Sequence, residues 1–168
     1  MRDIGSWTSA GTLRLLDRKS NIIKQAHAKM VAPERIAHCC SQAAVVDQIF
    51  VHACRYETYV VAIVVPHEEV VREWASTSLC REEAALPLEQ LYQLESARRM
   101  VLARLDAEAA TSRLAPHEFV RAVHLSGEPF SQANGLLTAT LKTKRRALRQ
   151  RYRCQLAALY GKQEPVED

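Results

Sequence analysis

Hydrophobic and polar positions alternate along the chain with two periods, and the switches between them mark the elements. Val45–His52 and Tyr59–Val65 are β-branched runs bounded by polar residues and predict strands; the second is apolar on both faces, as a central strand must be. A third strand is predicted over Phe119–Leu125, where Phe119, Arg121, Val123 and Leu125 alternate with Val120, Ala122 and His124. Helical spacing appears over Glu68–Ala75 and Leu88–Ala110, the latter placing Leu91, Leu94, Ala97, Val101, Leu105 and Ala109 on one face. Pro33 followed by Glu34 is a helix entry that runs to about Ser41. Thr12–Asp17 and Asn21–Lys24, with Gly11 as a turn residue before the first, read as a small hairpin or two edge strands. A last helix is predicted over Thr143–Tyr160 with Leu148, Tyr152, Leu156 and Leu159 as its stripe, and the segment Gly127–Thr140 before it reads as a loop.

The 168 residues, 48% hydrophobic and 25% charged, suffice for one core and one domain. No apolar run approaches the roughly 20 residues of a membrane span, and Met1–Gly5 lacks the apolar stretch of a signal peptide. Five cysteines, an odd number including the adjacent Cys39 and Cys40, do not form a secreted disulfide framework and favour a reducing compartment. The net charge of +4 is unevenly placed. Lys142, Lys144, Arg145, Arg146, Arg149, Arg151 and Arg153 form a block with no acid inside it, a pattern that suits nucleic acid, anionic lipid or a small anion without choosing among them.

Autonomous chemistry is largely missing. There is no Gly-x-x-x-x-Gly-Lys loop, no Gly-x-Gly-x-x-Gly, no His-Glu-x-x-His and no Cys-x-x-Cys. His38, Cys39, Cys40, His52 and Cys54 lack ligand spacing, so no metal site is expected and thiols that simply pack are the simpler reading.

Several ordered motifs carry a positive signal. Asp3-Ile4-Gly5-x-Trp7, then Gly11-Thr12-Leu13-x-Leu15-Leu16-Asp17-Arg18-Lys19-x-Asn21-Ile22-Ile23-Lys24, then Val31-Ala32-Pro33-Glu34-Arg35-Ile36, are followed by Val60–Pro66 and by Phe130-Ser131-x-x-Asn134-Gly135-Leu136-Leu137-Thr138-x-Thr140-Leu141-Lys142-x-Lys144-Arg145. This series resembles the long-chain fatty acid–CoA ligases of the adenylate-forming superfamily. The resemblance implies an α+β fold: the small mobile C-terminal domain of those enzymes, with a short N-terminal two-stranded hairpin followed by a mostly antiparallel sheet of about three strands flanked by helices. Residues 1–18 then correspond to the crossover from the large nucleotide-binding domain and 19–168 to the C-terminal domain.

In such ligases ATP and a fatty acid give an acyl-adenylate and pyrophosphate, after which the C-terminal domain rotates and the CoA thiol displaces AMP. Residue by residue, the resemblance implies that Asp3 accepts hydrogen bonds from the ribose hydroxyls and that Arg18 contacts the same ribose. Lys142 bridges the fatty-acid carboxylate and the α-phosphate, where its charge offsets that of the transition state. Lys24 lies on the face presented for thioester formation, Ser20 is the hinge, and Ala28 and Lys29 lie beside the pantetheine arm of CoA. ATP, with its magnesium, is held mainly by the large domain, which is also the chain's implied partner.

Departures accompany the matches. The family's Thr-Gly before the aspartate is Met1-Arg2 here, so the chain reads as starting inside a motif, like a fragment, and the isolated chain is expected to be inactive. Ser20 stands where Asp or Lys is usual, Ala28-Lys29 where Gly-Glu is usual, and Ala139 where Pro is usual; the methyl of Ala28 and the reversed charge of Lys29 bear on the thioester-forming half.

A second reading stays open: an orphaned or degenerate ligase domain, without turnover, whose basic amphipathic helix binds anionic membrane or nucleic acid. Nucleic acid is disfavoured because only Tyr152 is there to stack on bases. Taken without the family, Asp17-Arg18-Lys19 is a solvated strand end, Lys142 one base at a helix start, the basic helix a surface helix with snorkelling side chains, and Trp7 and Trp74 packing residues. A cytoplasmic location, extending to peripheral attachment on an intracellular membrane, completes the expectation.

Overall fold

The computed structural model describes residues 3–18, 22–26 and 28–162; Ser20, the expected hinge, lies outside the described residues. The centre of the fold is β6 (Val60–Pro66), every residue of which is buried. It pairs antiparallel with β5 (Val46–His52) on one side and parallel with β7 (Val120–Leu125) on the other.

Because successive side chains point to opposite faces, β6 feeds two cores. Val60, Ala62 and Val64 pack with α1 (Pro33–Cys40) and α5 (Glu95–Thr111) through Ile36, Cys40, Ala97, Val101 and Leu105. Val61, Ile63 and Val65 pack on the opposite face with Phe130, Leu136, Leu148, Tyr152 and Leu156. The result is three layers, helices covering both faces of a small sheet. The both-sided apolar run in the sequence is thus a strand buried on both sides.

Two short hairpins precede this body. β1 (Asp3–Trp7) pairs with β2 (Leu13–Arg18), and β3 (Ile23–Lys24) with β4 (Met30–Val31), both antiparallel. Of the four described strand pairings three are antiparallel. The Leu13–Arg18 strand therefore takes its partner from the residues before it, so that of the two expected arrangements, a mutual hairpin or two separate strands, the Thr12–Asp17 and Asn21–Lys24 runs follow the second, each within its own two-stranded pair. The reason is local: Gly11 at φ +74° donates its N–H to the Thr8 carbonyl (3.0 Å), the Thr8 N–H reaches the Thr12 carbonyl (2.8 Å), and the two threonine hydroxyls meet at 2.7 Å, closing the turn that sets Trp7 opposite Leu13. Trp7 is corrected as well. It is 76% exposed, beside a half-exposed Leu13, whereas Trp74 does pack against the first core.

Between β6 and β7 run α2 (Glu68–Ser78), α3 (Arg81–Ala84), α4 (Leu88–Leu91) and α5, followed by a 3-10 turn at Pro116–Glu118. The single helix expected over Leu88–Ala110 breaks after Tyr92, and Leu94 becomes the extended cap of α5 (φ −64°, ψ 134°) while still touching the core. The last helix also breaks, at Tyr152 (φ −104°, ψ 21°), into α6 (Arg145–Arg151) and α7 (Arg153–Leu159). Both tyrosines are buried, and the Tyr152 hydroxyl lies 3.0 Å from that of buried Ser126. A tyrosine turned inward to reach a polar partner takes precedence over continuous helical geometry there. No helix of the described residues is long and apolar enough to cross a membrane.

Candidate functional site

Lys142 is exposed at the tip of a tight hairpin built inside the segment expected to be a loop. The segment is first pinned to the sheet: the Gln48 side chain donates from Nε2 to the Phe130 carbonyl (3.1 Å) and accepts the Phe130 N–H at Oε1 (2.5 Å), with Phe130 itself buried in the second core. A turn follows in which Asn134 Oδ1 accepts the Ser131 N–H (2.9 Å), Ser131 Oγ accepts the Asn134 N–H (3.2 Å) and Gly135 takes φ +74°. Leu136 then returns to the core.

From there the chain forms its hairpin. Leu137 and Thr143 pair as an antiparallel bridge, and the Lys144 N–H donates to the Leu136 carbonyl at 2.8 Å. Thr138 clasps the backbone of Lys142 on both sides, its N–H donating to the Lys142 carbonyl (2.8 Å) and its hydroxyl accepting the Lys142 N–H (3.1 Å). Leu141 at φ +57° makes the turn and stays 68% exposed. Both backbone groups of Lys142 are thus held, and its side chain is exposed. Beneath this hairpin lies a groove of about 290 Å3 against α1 and β5, lined by Glu34, His38, Ile49, Leu137, Leu141 and Thr143.

Arg145 anchors the far root of the same hairpin. Its Nη1 donates to Glu34 Oε1 (2.9 Å), its Nη2 to the Val51 carbonyl (2.8 Å), and its guanidinium carbon stands 4.9 Å from the centre of the Phe50 ring. Arg151 likewise donates to Glu128 Oε2 at 2.6 Å, and that contact together with Asn134 holds the Glu128 carboxyl below the usual range. The basic block is therefore not a uniform solvated face. Arg145 is paired and largely buried, Arg151 is paired but still exposed, and Lys142, Lys144, Arg146 and Arg153 are exposed.

The second candidate element is the β3–β4 hairpin. Lys24, Ala28 and Lys29 are exposed on it. The Gln25 N–H donates to the Lys29 carbonyl and the Ala28 N–H to the Gln25 carbonyl, both at 2.9 Å, and Ala28 sits at φ +57°, the left-handed region that favours glycine. Gln25 turns its side chain inward and donates from Nε2 to the Tyr59 carbonyl (3.0 Å), tying this turn to the loop between β5 and β6. Lys24 and Lys142 thus stand on separate hairpins, joined through α1, which follows β4 and carries Glu34 to Arg145.

Asp3 and Arg18 are opposed in register at the open end of β1–β2, so the fold brings their backbones together; their side chains lie outside the described structure. Sequence inspection missed Gln48, Thr138 and Arg145 as supports of Lys142. Thr138 and Arg145 had a signal, their places in the closing motif; Gln48 had none. The described residues contain no group of three His, Cys, Asp or Glu side chains able to hold a metal ion. Burial, with Cys39 beside it, pushes the Cys40 thiol up to about 12, so it is an unreactive packing group.

No family model matches the chain. By sequence it is 37% identical over 159 residues to the Homo sapiens protein named Long-chain-fatty-acid--CoA ligase 6, covering 95% of this chain and 22% of that one. It is 39% identical over 143 residues to Arabidopsis thaliana Long chain acyl-CoA synthetase 7, peroxisomal, covering 85% of this chain and 20% of that one. The chain thus spans about a fifth of the length of the curated relatives it matches. Among solved structures, the A-PCP didomain of carboxylic acid reductase from Segniliparus rugosus in complex with AMP shares the fold, with a TM-score of 0.79 at 23% identity over 94% of this chain and 20% of that one. Along nearly all of its length the chain is thus homologous to one segment of the long-chain fatty acid–CoA ligases, a segment that makes up about one-fifth of those proteins.

Proposed function

We propose that the chain is the mobile C-terminal domain of a long-chain fatty acid–CoA ligase, residues 1–18 being the crossover from a large nucleotide-binding domain and residues 19–168 the domain itself. Its task is to present Lys142 to a site completed by that large domain. There the ammonium lies between the fatty-acid carboxylate and the α-phosphate of ATP while the carboxylate oxygen attacks phosphorus and pyrophosphate leaves. The observation that carries this reading is the clasp on Lys142: both its backbone groups are hydrogen-bonded to Thr138, while its side chain is exposed. A lysine held by its backbone and exposed beside a protruding turn can be delivered as a unit to a site on another domain, where its charge would stabilise a developing phosphorane.

The other half-reaction, displacement of AMP by the CoA thiolate, falls to the hairpin of Lys24, Ala28 and Lys29, with Ser20 as the pivot and Asp3 and Arg18 on the ribose. Ala28 occupies a left-handed turn position, where backbone can approach a pantetheine arm, but it carries a methyl there. In this reading ATP and its magnesium are held mainly by the large nucleotide-binding domain.

The test is a hybrid in which this chain replaces the segment it matches in human Long-chain-fatty-acid--CoA ligase 6. Lys142→Ala should lower fatty-acid-dependent pyrophosphate release by at least about 100-fold and leave thioester formation from pre-made acyl-AMP largely intact. Equal loss of both steps contradicts the assignment. The 168 residues alone should release no pyrophosphate.

A further inference from the structure

We infer that Arg145 is a positioning residue for Lys142: its guanidinium locks the return strand of the Lys142 hairpin onto α1 and β5, and through that grip sets where the lysine stands. The inference rests on the ligase reading above and adds a residue to which the sequence assigns no separate role.

Among the bases between 142 and 153, Arg145 is set apart by its surroundings. Its side chain is only 19% exposed, whereas its neighbours Lys144 and Arg146 are exposed. One guanidinium engages three partners at once: the Glu34 carboxylate on α1, the Val51 carbonyl on β5 and the face of Phe50. The planar fork of arginine can serve two acceptors and an aromatic face together; the single ammonium of lysine cannot.

The location of this anchor matters as much as its strength. A hairpin has two roots. The outgoing root of this one is held by the Gln48 clamp on Phe130 and by buried Leu136. The return root is Thr143-Lys144-Arg145; beyond the bridge to Leu137 and the bond from the Lys144 N–H to the Leu136 carbonyl, it is attached to the body of the domain first through Arg145, the first residue of α6, and then, one turn on, through buried Leu148. Releasing Arg145 leaves the strand held by the bridge and by Leu148 one turn further on, and the slack between those two points reaches Lys142, three residues away. Displacement of a catalytic group by about 1 Å costs on the order of 100-fold in rate. Glu34 sits in the first turn of the helix that follows the β3–β4 hairpin, so the same ion pair also joins the supports of the two candidate hairpins.

Amide hydrogen exchange on the full 168-residue chain tests the grip. In Arg145→Gln, the amides of Thr138, Lys142 and Lys144 should exchange at least about tenfold faster, while those of Val61 to Val64 on β6 change less than about threefold. Arg145→Lys, which keeps the charge and its reach to Glu34, should fall between Arg145→Gln and the parent chain. Unchanged hairpin amides, or acceleration spread evenly over the domain, overturn the inference.

The hybrid ligase tests the consequence. Arg145→Gln should reduce the adenylation kcat about tenfold with KM for ATP within twofold, and should cost nothing further in a Lys142→Ala background. An equal loss in that background, or a change confined to KM, places the effect elsewhere and overturns the inference. If Lys142→Ala leaves adenylation intact, the ligase reading itself falls. If Lys142→Ala abolishes it while Arg145→Gln alters neither exchange nor kcat, only this inference falls.

Discussion

The side chain of Gln48 and the backbone of Phe130, 82 positions apart, bond as two neighbouring strands would: the amide nitrogen donates to the carbonyl and the amide oxygen accepts the N–H. This side chain joins β5 to the segment that carries Lys142. Gln48→Ala leaves both Phe130 groups without these partners near the second core, and each orphaned group costs about 1 kcal/mol. We expect about 2 kcal/mol of destabilisation by urea unfolding, with local exchange at Phe130 rising first. A loss below about 0.5 kcal/mol would show that water replaces the clamp.

Ala28→Gly should stabilise the chain. At φ +57° the methyl meets the following carbonyl, a conflict worth about 1 kcal/mol that glycine does not have. Part of the gain is offset by glycine's greater freedom when unfolded. The urea midpoint should rise, and Ala28→Val should lower it; in the hybrid ligase the glycine variant should also speed the CoA step. A lower midpoint for glycine would contradict the assigned backbone geometry.

Acid should weaken the fold through His124. Burial, with Arg98 nearby, lowers its pKa below 6.5. The unfolded chain therefore binds a proton that the folded chain refuses, so stability falls as pH drops through 6.5 and levels off below the folded value. His124→Gln should flatten the dependence of the urea midpoint between pH 7.5 and 5.5. Glu128, lowered by Arg151 and Asn134, titrates below this window, and Asp106, raised by burial, acts in the opposite sense. Parallel profiles for parent and variant would remove His124 from the account.

Glu118 joins the 3-10 turn to α1. Arg35 Nη1 donates to both its oxygens (3.0 and 3.2 Å), and Oε2 also accepts the Ala115 N–H (2.9 Å), with the carboxylate almost wholly buried. Glu118→Ala strips a partly exposed arginine and a backbone donor of their acceptor and should cost about 2 kcal/mol. Glu118→Gln, which keeps acceptor capacity, should cost about half that. Equal losses in thermal or urea unfolding would mean that volume, not charge, matters there.

Local pattern was enough for much of this molecule. The unbroken apolar run Val60–Pro66 marks the central strand because burial on both faces leaves no polar position, and Pro33-Glu34 marks the start of α1 because each favours the first helical turn. The ordered motifs identified the family and placed Lys142 and the Lys24–Ala28 turn. Local pattern could not choose the partner of Leu13–Arg18, since two neighbouring strands with similar apolar content compete and a four-residue turn at Thr8–Gly11 decides. Nor could it foresee the helix breaks near Tyr92 and at Tyr152, where burying an aromatic ring outweighs helical propensity. The supports of Lys142 lay furthest from view. Gln48 reaches Phe130 across 82 positions and Arg145 reaches Glu34 across 111, and a contact between residues so distant leaves no periodicity in either segment. The sequence determined that a lysine would stand in this motif; only the packing of helices and loops on both faces of one sheet decided what holds it there.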